Sequence, residues 1–368
     1  MTWMLIIQLG LIALFIGAIP LFITAYKGNL QNLNRFVWLL IFLTFDLILF
    51  GAFTRLTDSG LGCPDWPGCY GHSNPLFAMT HIQEAEQQMP FGPVTVTKAW
   101  IEMLHRYFAS GVGFLMLSFT VMAWIKRKEF GHRIFLFSLG LFFLVCLQGA
   151  FGAFTVTFRL QPLIVSIHLI LALCFIMGLT VLSGLTQQGH LILKPQRYRP
   201  AIPLLVILVV FSQILLGAWV STNYAVLACN GFPLCNEEWV PQMDFLNGFT
   251  WWRELGKTSS GEYLSIEALI AIHWTHRLGA MITSLTLGCY LYYLVKVKQE
   301  GNINFQKDAQ YWGRWVLFVL CAQILSGLSN VIFQWPMIAA LIHTGGASAL
   351  IIGLTKLLLL SFQKSLSK

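Results

Sequence analysis

Long apolar segments separated by polar segments run through the whole chain. Nine of them approach or exceed the roughly 20 helical residues needed to cross the hydrocarbon core of a bilayer. They are residues 4–26, 35–54, 100–124, 134–156, 163–186, 202–221, 267–295, 314–333 and 338–361. They show no period-2 alternation, and outside a closed barrel only a helix satisfies its own backbone hydrogen bonds in lipid. The pattern therefore predicts an all-α polytopic membrane protein.

The last eight apolar segments form two groups of four that repeat the same motifs in the same order. Residues 45–53 match residues 211–219, and further matches follow in the same order along the chain. The aligned pairs are Cys63 with Cys229, Cys69 with Cys235, His105 with His276, Gln148 with Gln323, and His168 with His343. Such self-similarity indicates an internal repeat.

The repeat predicts an eight-helix core made of two four-helix bundles. We assign residues 35–190 to the first half, residues 191–368 to the second, and residues 1–34 to an extra N-terminal transmembrane helix. Because each repeat has an even number of spans, both copies enter the membrane in the same orientation. The halves are therefore expected to be parallel repeats related by an axis along the membrane normal.

The charges fit a multi-pass protein of the cell membrane in contact with lipid. The chain has 368 residues, of which 57% are hydrophobic and 10% charged, against about 25% charged in soluble proteins. The net charge of +8 does not indicate nucleic-acid binding, because the basic residues lie in clusters between apolar segments. By the positive-inside rule the clusters at 126–133, 194–199, 296–314 and the C-terminus are cytoplasmic. Loops 55–99 and 222–266 then lie outside.

Five histidines lie within the predicted spans near their outer ends. A lone intramembrane histidine is most simply polar glue between helices, but here two helices per half each present one at similar depth. Haem iron is held by axial ligands such as histidine, so we pair His105 with His168, and His276 with His343. Zinc usually takes four ligands, which neither pair supplies. Copper is not excluded by ligand type.

Charged residues beside the pairs differ between the halves. Arg106 and Arg277 each follow a histidine and either contact haem propionates as a guanidinium fork or extend to the headgroups. Glu102 lies one helical turn before His105, and its counterpart is His273. A carboxylate there can move protons or stabilise positive charge, although it can equally be a boundary residue facing headgroups. This asymmetry predicts one reactive half and one half that holds a permanent cofactor.

Two short cysteine pairs lie in the predicted outer loops. Cys63 and Cys69 flank one turn-forming segment, and Cys229 and Cys235 flank another. The spacing and the oxidising side of the membrane make a disulfide within each loop feasible. Each is either a structural staple, which is slightly favoured, or a redox-active pair.

Three motifs resemble the haem A synthase family. They are residues 55–69, Arg-Leu-Thr-Asp-Ser-Gly-Leu-Gly-Cys-Pro-Asp-Trp-Pro-Gly-Cys, then 101–106, Ile-Glu-Met-Leu-His-Arg, and 273–279, His-Trp-Thr-His-Arg-Leu-Gly. The likeness covers about residues 35–361. It implies a membrane oxidoreductase that oxidises the C8 methyl of haem O to a formyl group by successive hydroxylation. The product is haem A for cytochrome oxidase.

The resemblance also implies a role for each motif. His105 and His168 would bind the substrate haem O, and His276 and His343 would hold a haem b iron as the cofactor. Glu102 matches the family's essential carboxylate, and Cys63 with Cys69 matches a pair implicated in a disulfide relay. Haem O synthase and cytochrome oxidase assembly factors are the implied partners, and the electron donor is unknown.

Two other function classes remain open from the sequence. A di-haem b-type electron-transfer cytochrome explains the four histidines but not why Glu102 occurs in one half only. A membrane thiol–disulfide exchanger explains the cysteines but gives the histidines no role.

Overall fold

A computed structural model of the chain describes residues 7–8, 10–15, 30–188, 200–298 and 303–362. Within these residues the protein is helical, and β-structure is limited to isolated bridges in the loops. Eight of the described helices are long and apolar enough to cross a membrane. The all-α polytopic fold and the eight-helix core are confirmed.

The helices agree with the predicted spans to within a few residues at most ends. In chain order they are α1 Leu30–Leu56, α2 Met79–Gln88, α3 Val96–Ile125, α4 Arg127–Phe130, α5 His132–Thr157, α6 Pro162–Gln188, α7 Ala201–Thr222, α8 Phe245–Gly248, α9 Ile266–Lys298, α10 Ile303–Ile332 and α11 Met337–Leu360. The eight spans are α1, α3, α5, α6, α7, α9, α10 and α11.

Part of the sequence prediction falls on residues that the structure does not describe. Residues 7–8 and 10–15 are helical, and the rest of the predicted span 4–26 lies outside the described residues. The basic cluster 194–199 and the basic C-terminal tail also lie outside them.

The chain divides into two compact units, Met1–Gly189 and His190–Lys368. In the first unit α1 packs on α3, α3 on α5, α5 on α6, and α6 returns to α1. The second unit has the same cycle through α7, α9, α10 and α11. Each unit is thus a four-helix bundle in which every long helix contacts the next along the chain.

The backbone repeats at the turns as well as in the helices. The turn between α5 and α6 holds Arg159 and Leu160 at positive φ, and the equivalent turn between α10 and α11 holds Gln334 and Trp335 at positive φ. Non-glycine residues adopt this left-handed region only occasionally. Its occurrence at aligned positions supports the internal repeat.

The loop between α1 and α3 is anchored on the N-terminal part of α3. Cys63, Cys69 and Ile82 of this loop are fully buried against Ala99 and Met103 of α3. Thr95 caps the start of α3 by accepting a hydrogen bond from the main-chain N–H of Lys98 at 3.2 Å. N-terminal caps of this kind stabilise helices, and this one starts the helix that carries Glu102 and His105.

Candidate functional site

The first unit brings His105 of α3 and His168 of α6 together. The two rings are partly buried and close enough for an electrostatic interaction. His105 lies edge-on to the ring of Phe50 in α1, with 5.8 Å between ring centroids. The histidines that sequence analysis paired are therefore neighbours within one bundle.

The second unit brings His276 of α9 and His343 of α11 together in the same way. Their rings are also partly buried and lie near each other. The side-chain amide of Gln213 lies 2.9 Å from Nδ1 of His276, and Oγ of Ser326 lies 3.0 Å from Nδ1 of His343. Both rings of this pair are thus held by polar side chains from neighbouring helices.

Each of the four histidine rings lies against a glycine of an adjacent helix. A Cβ atom on Gly51, Gly152, Gly217 or Gly327 would lie 3.0–3.4 Å from the nearest atom of His105, His168, His276 or His343, respectively. A methyl group at these positions would push on the ring, so glycine lets helix and imidazole approach closely. Gly51 aligns with Gly217, and Gly152 with Gly327, which makes the glycine–histidine contact a repeated feature.

The residues present fit a haem bound through two axial histidines. Nδ1 of His168 is buried without a hydrogen-bond partner, so this ring has binding capacity that the protein does not use. Over the ranges described, no group of three or more His, Cys, Asp or Glu residues is placed to hold a metal ion. Paired imidazoles suit axial ligation of haem iron.

Glu102 connects α3 to the first cysteine loop. Its side chain is 4% exposed, and Oε2 accepts a hydrogen bond from the main-chain N–H of Cys63 at 2.8 Å. Oε1 forms an ion pair with Arg106. Since Glu102 precedes His105 by three residues on the same helix, the carboxylate lies on the same face as this histidine.

Arg106 holds the first cysteine loop in place. Its guanidinium donates to the main-chain oxygens of Asp65 at 2.9 Å and Gly68 at 2.6 Å, in addition to pairing with Glu102. A guanidinium has five N–H donors, so these contacts leave some of them for another acceptor. The contact with haem propionates stays a prediction.

His273 takes the place of Glu102 in the second unit. The main-chain N–H of Cys229 lies 3.3 Å from its Nδ1, and Nε of Arg277 lies 3.3 Å from its Nε2. A neutral imidazole has one acceptor nitrogen, so His273 accepts one of these two hydrogen bonds. Arg277 also donates to the main-chain oxygens of Leu234 and Cys229 at 3.1 and 2.7 Å. The two units therefore have the same arrangement of loop, arginine and linking residue, but only the first has a carboxylate in it.

Both predicted cysteine pairs form disulfides in the structure. Cys63 is bonded to Cys69, and Cys229 to Cys235. All four cysteines are at most 2% exposed. The disulfides thus lie inside their loops, at the points where those loops pack on α3 and α9.

Asp65 organises the turn between the first two cysteines. Its carboxylate accepts hydrogen bonds from the main-chain N–H groups of Tyr70 at 2.6 Å and Gly71 at 2.7 Å. Burial, and then the charge of Asp65, raises the pKa of the Tyr70 hydroxyl, which keeps this hydroxyl neutral. In the second loop Asn236 has a similar role, since it accepts from the main-chain N–H of Asn230 and donates to the oxygen of Ala228.

Sequence analysis missed the polar residues and glycines that surround the histidine rings. Gln148 was aligned with Gln323, but the contact of each with a histidine main-chain oxygen, at 3.0 and 2.7 Å, was not foreseen. Gln213 and Ser326 were also missed. Their counterparts in the first repeat are the apolar residues Leu47 and Phe151. This difference in polarity between aligned positions is a signal that could have pointed to Gln213 and Ser326.

Comparisons with known proteins identify the family of this chain. The family model COX15-CtaA, described as cytochrome oxidase assembly protein, matches residues 34–355. A haem A synthase of Shewanella oneidensis is 34% identical over 90% of this chain and 98% of its own length. Haem A synthases of Shouchella clausii and Methylobacterium radiotolerans are 29% and 28% identical. They cover 62% and 81% of this chain, and 71% and 81% of their own lengths.

The region matched by the family model covers six membrane helices in full, most of α1 and α11, both disulfides and both histidine pairs. The chain belongs to the COX15-CtaA family of cytochrome oxidase assembly proteins, and within that family to the haem A synthases.

Proposed function

We propose that this membrane oxidoreductase converts haem O to haem A, by successive hydroxylation of the C8 methyl group to a formyl group. Haem A is then supplied to cytochrome oxidase. One observation carries the proposal beyond family membership. Both units present a histidine pair, and only the first unit adds a buried carboxylate on the same helix as a ligand. This arrangement suits one reaction site and one cofactor site.

The two units have different tasks in this proposal. Residues 35–190 bind haem O through His105 and His168, and residues 191–368 hold haem b through His276 and His343. Bound haem b supplies one-electron redox chemistry to the reaction. The glycine beside each ring keeps the imidazole close to its neighbouring helix, so the position of each ligand is set by helix packing.

Glu102 is the proposed catalytic residue. The main-chain N–H of Cys63 and the guanidinium of Arg106 fix its two oxygens, so the carboxylate is oriented before substrate binds. Carboxylate oxygens have further lone pairs, with which Glu102 can accept a proton or stabilise positive charge as it develops on the substrate. In the second unit His273 keeps the structural contact with the loop without supplying a carboxylate.

Arg106 and Arg277 are proposed to contact the propionates of the two haems while they bind the loop carbonyl oxygens. Each guanidinium lies one residue after a ligand histidine. Each also has donors beyond those used by the protein. A fork of N–H groups matches a carboxylate, so one arginine can connect the bound haem to the disulfide loop above it.

The two disulfides are proposed to be structural staples rather than redox partners. Exchange requires a thiolate to reach a disulfide sulfur, and Cys63 and Cys69 are fully buried. Their burial against α3 supports a role in holding the loop over Glu102. Opening of the loop would be needed before either sulfur could act in a relay.

We place the disulfide loops on the outer side of the cell membrane and the C-terminus in the cytoplasm. The connection between α3 and α5 carries Lys126, Arg127, Lys128 and Arg133, which the positive-inside rule assigns to the cytoplasm. Haem O synthase and cytochrome oxidase assembly factors remain the expected partners, with an electron donor still to be identified.

Conversion of haem O tests the proposal directly. Purified protein in lipid is supplied with haem O, dioxygen and a chemical reductant, and the pigments are extracted and separated. Appearance of the alcohol and formyl derivatives supports the proposal, and His105→Ala and His168→Ala should abolish both. Unchanged haem O with reversible redox cycling of two haems would instead favour a b-type electron-transfer cytochrome.

A further inference from the structure

Ser326 connects the ring of His343 to helix α10. The serine is 5% exposed, and its hydroxyl donates to the main-chain oxygen of Ala322 at 2.7 Å. The lone pairs of Oγ therefore face Nδ1 of His343, which lies 3.0 Å away. A ring that donates its Nδ1 proton to Ser326 keeps a lone pair on Nε2, as a metal ligand requires.

Gln213 restrains the other ring of the second unit. Its side-chain amide lies 2.9 Å from Nδ1 of His276 and donates to the main-chain oxygen of the same residue at 3.0 Å. This amide packs closely on Gly279, where any Cβ atom would collide with it. The position of the amide is therefore fixed by α9. Its nitrogen is a hydrogen-bond donor, so Gln213 packs against Nδ1 of His276 and does not accept a proton from it.

The first unit lacks both restraints. The repeat alignment places Phe151 where the second unit has Ser326, and Leu47 where it has Gln213. Nδ1 of His168 is buried without a partner, and the ring of His105 makes no hydrogen bond to any described residue.

The one polar group near a ring of the first unit approaches the other nitrogen. Nε2 of Gln148 lies 3.4 Å from Nε2 of His168. The equivalent glutamine of the second unit, Gln323, donates to the main-chain oxygen of His343 at 2.7 Å, while Ser326 takes Nδ1. Gln148 thus gives Nε2 of His168 a protein contact in place of a restraint at Nδ1.

We propose that Ser326 is a positioning residue that retains haem in the second unit, and that Phe151 at the aligned position leaves the ligand His168 of the first unit able to release it. A hydrogen bond that the ring donates from Nδ1 to an acceptor, as His343 does to Ser326, fixes the orientation of a ligand imidazole and raises its basicity, which strengthens its bond to the metal. A resident cofactor needs this strength. A substrate site must let its product leave.

This inference rests on the proposed haem sites, and it is tested by haem release rather than by turnover. A His168→Ala background confines binding to the second unit. The purified protein, loaded with haem b, is mixed with an excess of haem-free myoglobin, and transfer is followed by absorbance. We expect Ser326→Ala to weaken retention about 10–100-fold and to accelerate release accordingly.

Matched variants separate positioning from general damage. Ser326→Thr keeps the hydroxyl and should restore slow release. Ser329→Ala removes a hydroxyl from the same helix that donates only to its own helix backbone, at Leu325, and should release haem at the parental rate. Equal acceleration by Ser329→Ala would show that any lost serine loosens α10, and would overturn the inference.

The converse change is made in the first unit. In a His343→Ala background, Phe151→Ser supplies the missing acceptor for Nδ1 of His168 and should slow haem release from His105 and His168. Release at the parental rate from both sets of variants, while the protein without these substitutions converts haem O, overturns the inference and leaves the proposed function intact. If His276→Ala and His343→Ala leave the retained haem in place, the ligand assignment itself is wrong.

Discussion

Glu102 and His273 occupy aligned positions and make the same two contacts, with the N–H of the first loop cysteine and with the arginine one turn later. The position is therefore structural in both units. What differs is the chemistry, because a carboxylate can stabilise positive charge where an imidazole cannot. Both units keep the structural contact at this position, but only the first has a reactive carboxylate there. The repeat can therefore keep its fold while the chemistry of its two halves diverges.

The charge of Glu102 can be removed without removing its hydrogen bond. Glu102→Gln keeps an oxygen that accepts from Cys63 N–H, so we expect the disulfide loop and the haem content to be unchanged. Conversion of haem O should fall by about 100-fold or more, the typical contribution of a general acid or base. Pigment extraction measures conversion and the Soret absorbance measures bound haem. Loss of haem in this variant would show that Glu102 is needed for binding.

Gly62 allows the first loop to approach α3 closely enough for the Glu102 contact. A Cβ atom at this position would lie 2.6 Å from the main-chain nitrogen of Ala99, so Gly62→Ala must move the loop. We expect a loss of about 1–3 kcal/mol in stability from overpacking, together with slower conversion, measured by thermal unfolding and pigment extraction. The second unit has Ala228 at the aligned position, and Ala228→Gly is the control that should leave conversion unchanged. An unchanged Gly62→Ala protein would contradict this account.

At the scale of single residues, the four histidines could be predicted because histidine is rare in membrane-spanning helices and because the repeat aligns them in pairs. Ser326 and Gln213 could not, because their contacts depend on how each helix is rotated about its axis. Apolar spans that are hydrophobic on every side give little information about that rotation. The glycines beside the rings were missed for the same reason.

At the scale of elements, the apolar pattern placed the spans well and their ends less well. The start of α10 is the largest difference, since the helix begins at Ile303 rather than at the predicted residue 314. The intervening segment contains Gln306, Lys307, Asp308 and Gln310. These polar residues end the apolar segment on which the predicted boundary was based, although the backbone there is helical. Hydropathy detects the part of a helix that lies in lipid, whereas a helix itself can extend into water.

The first disulfide stabilises its loop as an element. A disulfide between cysteines with a sequence separation of 6 lowers the conformational entropy of the unfolded chain. The chain-entropy relation gives a stabilisation of about 2 kcal/mol. Cys63→Ser with Cys69→Ser should lower the thermal stability by this amount and reduce conversion by loosening the cover over Glu102. Thermal unfolding in detergent, with and without reductant, measures the change. If stability is retained while turnover alone is lost, the pair acts in redox chemistry.

At the scale of the whole molecule, the duplication made much of the fold predictable. Two matching sets of four spans predict two bundles, and the structure contains two compact units with the same helix neighbours. Single-sequence alignment of the halves also exposed the Glu102 and His273 difference. The packing of the two disulfide loops was not predictable, because α2 and α8 are short helices in segments without a clear apolar pattern.

Sidedness is the last prediction at this scale, and it follows from charge and topology together. The loop that contains Ser260 connects α7 to α9, and the loop that contains Lys128 connects α3 to α5, so they leave the membrane on opposite sides. Ser260→Cys should react with a membrane-impermeant maleimide in intact cells, whereas Lys128→Cys should react only after the membrane is opened. The parent protein, with its four free cysteines in helices, gives the background labelling. The reverse pattern would place the disulfide loops in the reducing cytoplasm, where disulfides rarely persist, and would invert the proposed orientation.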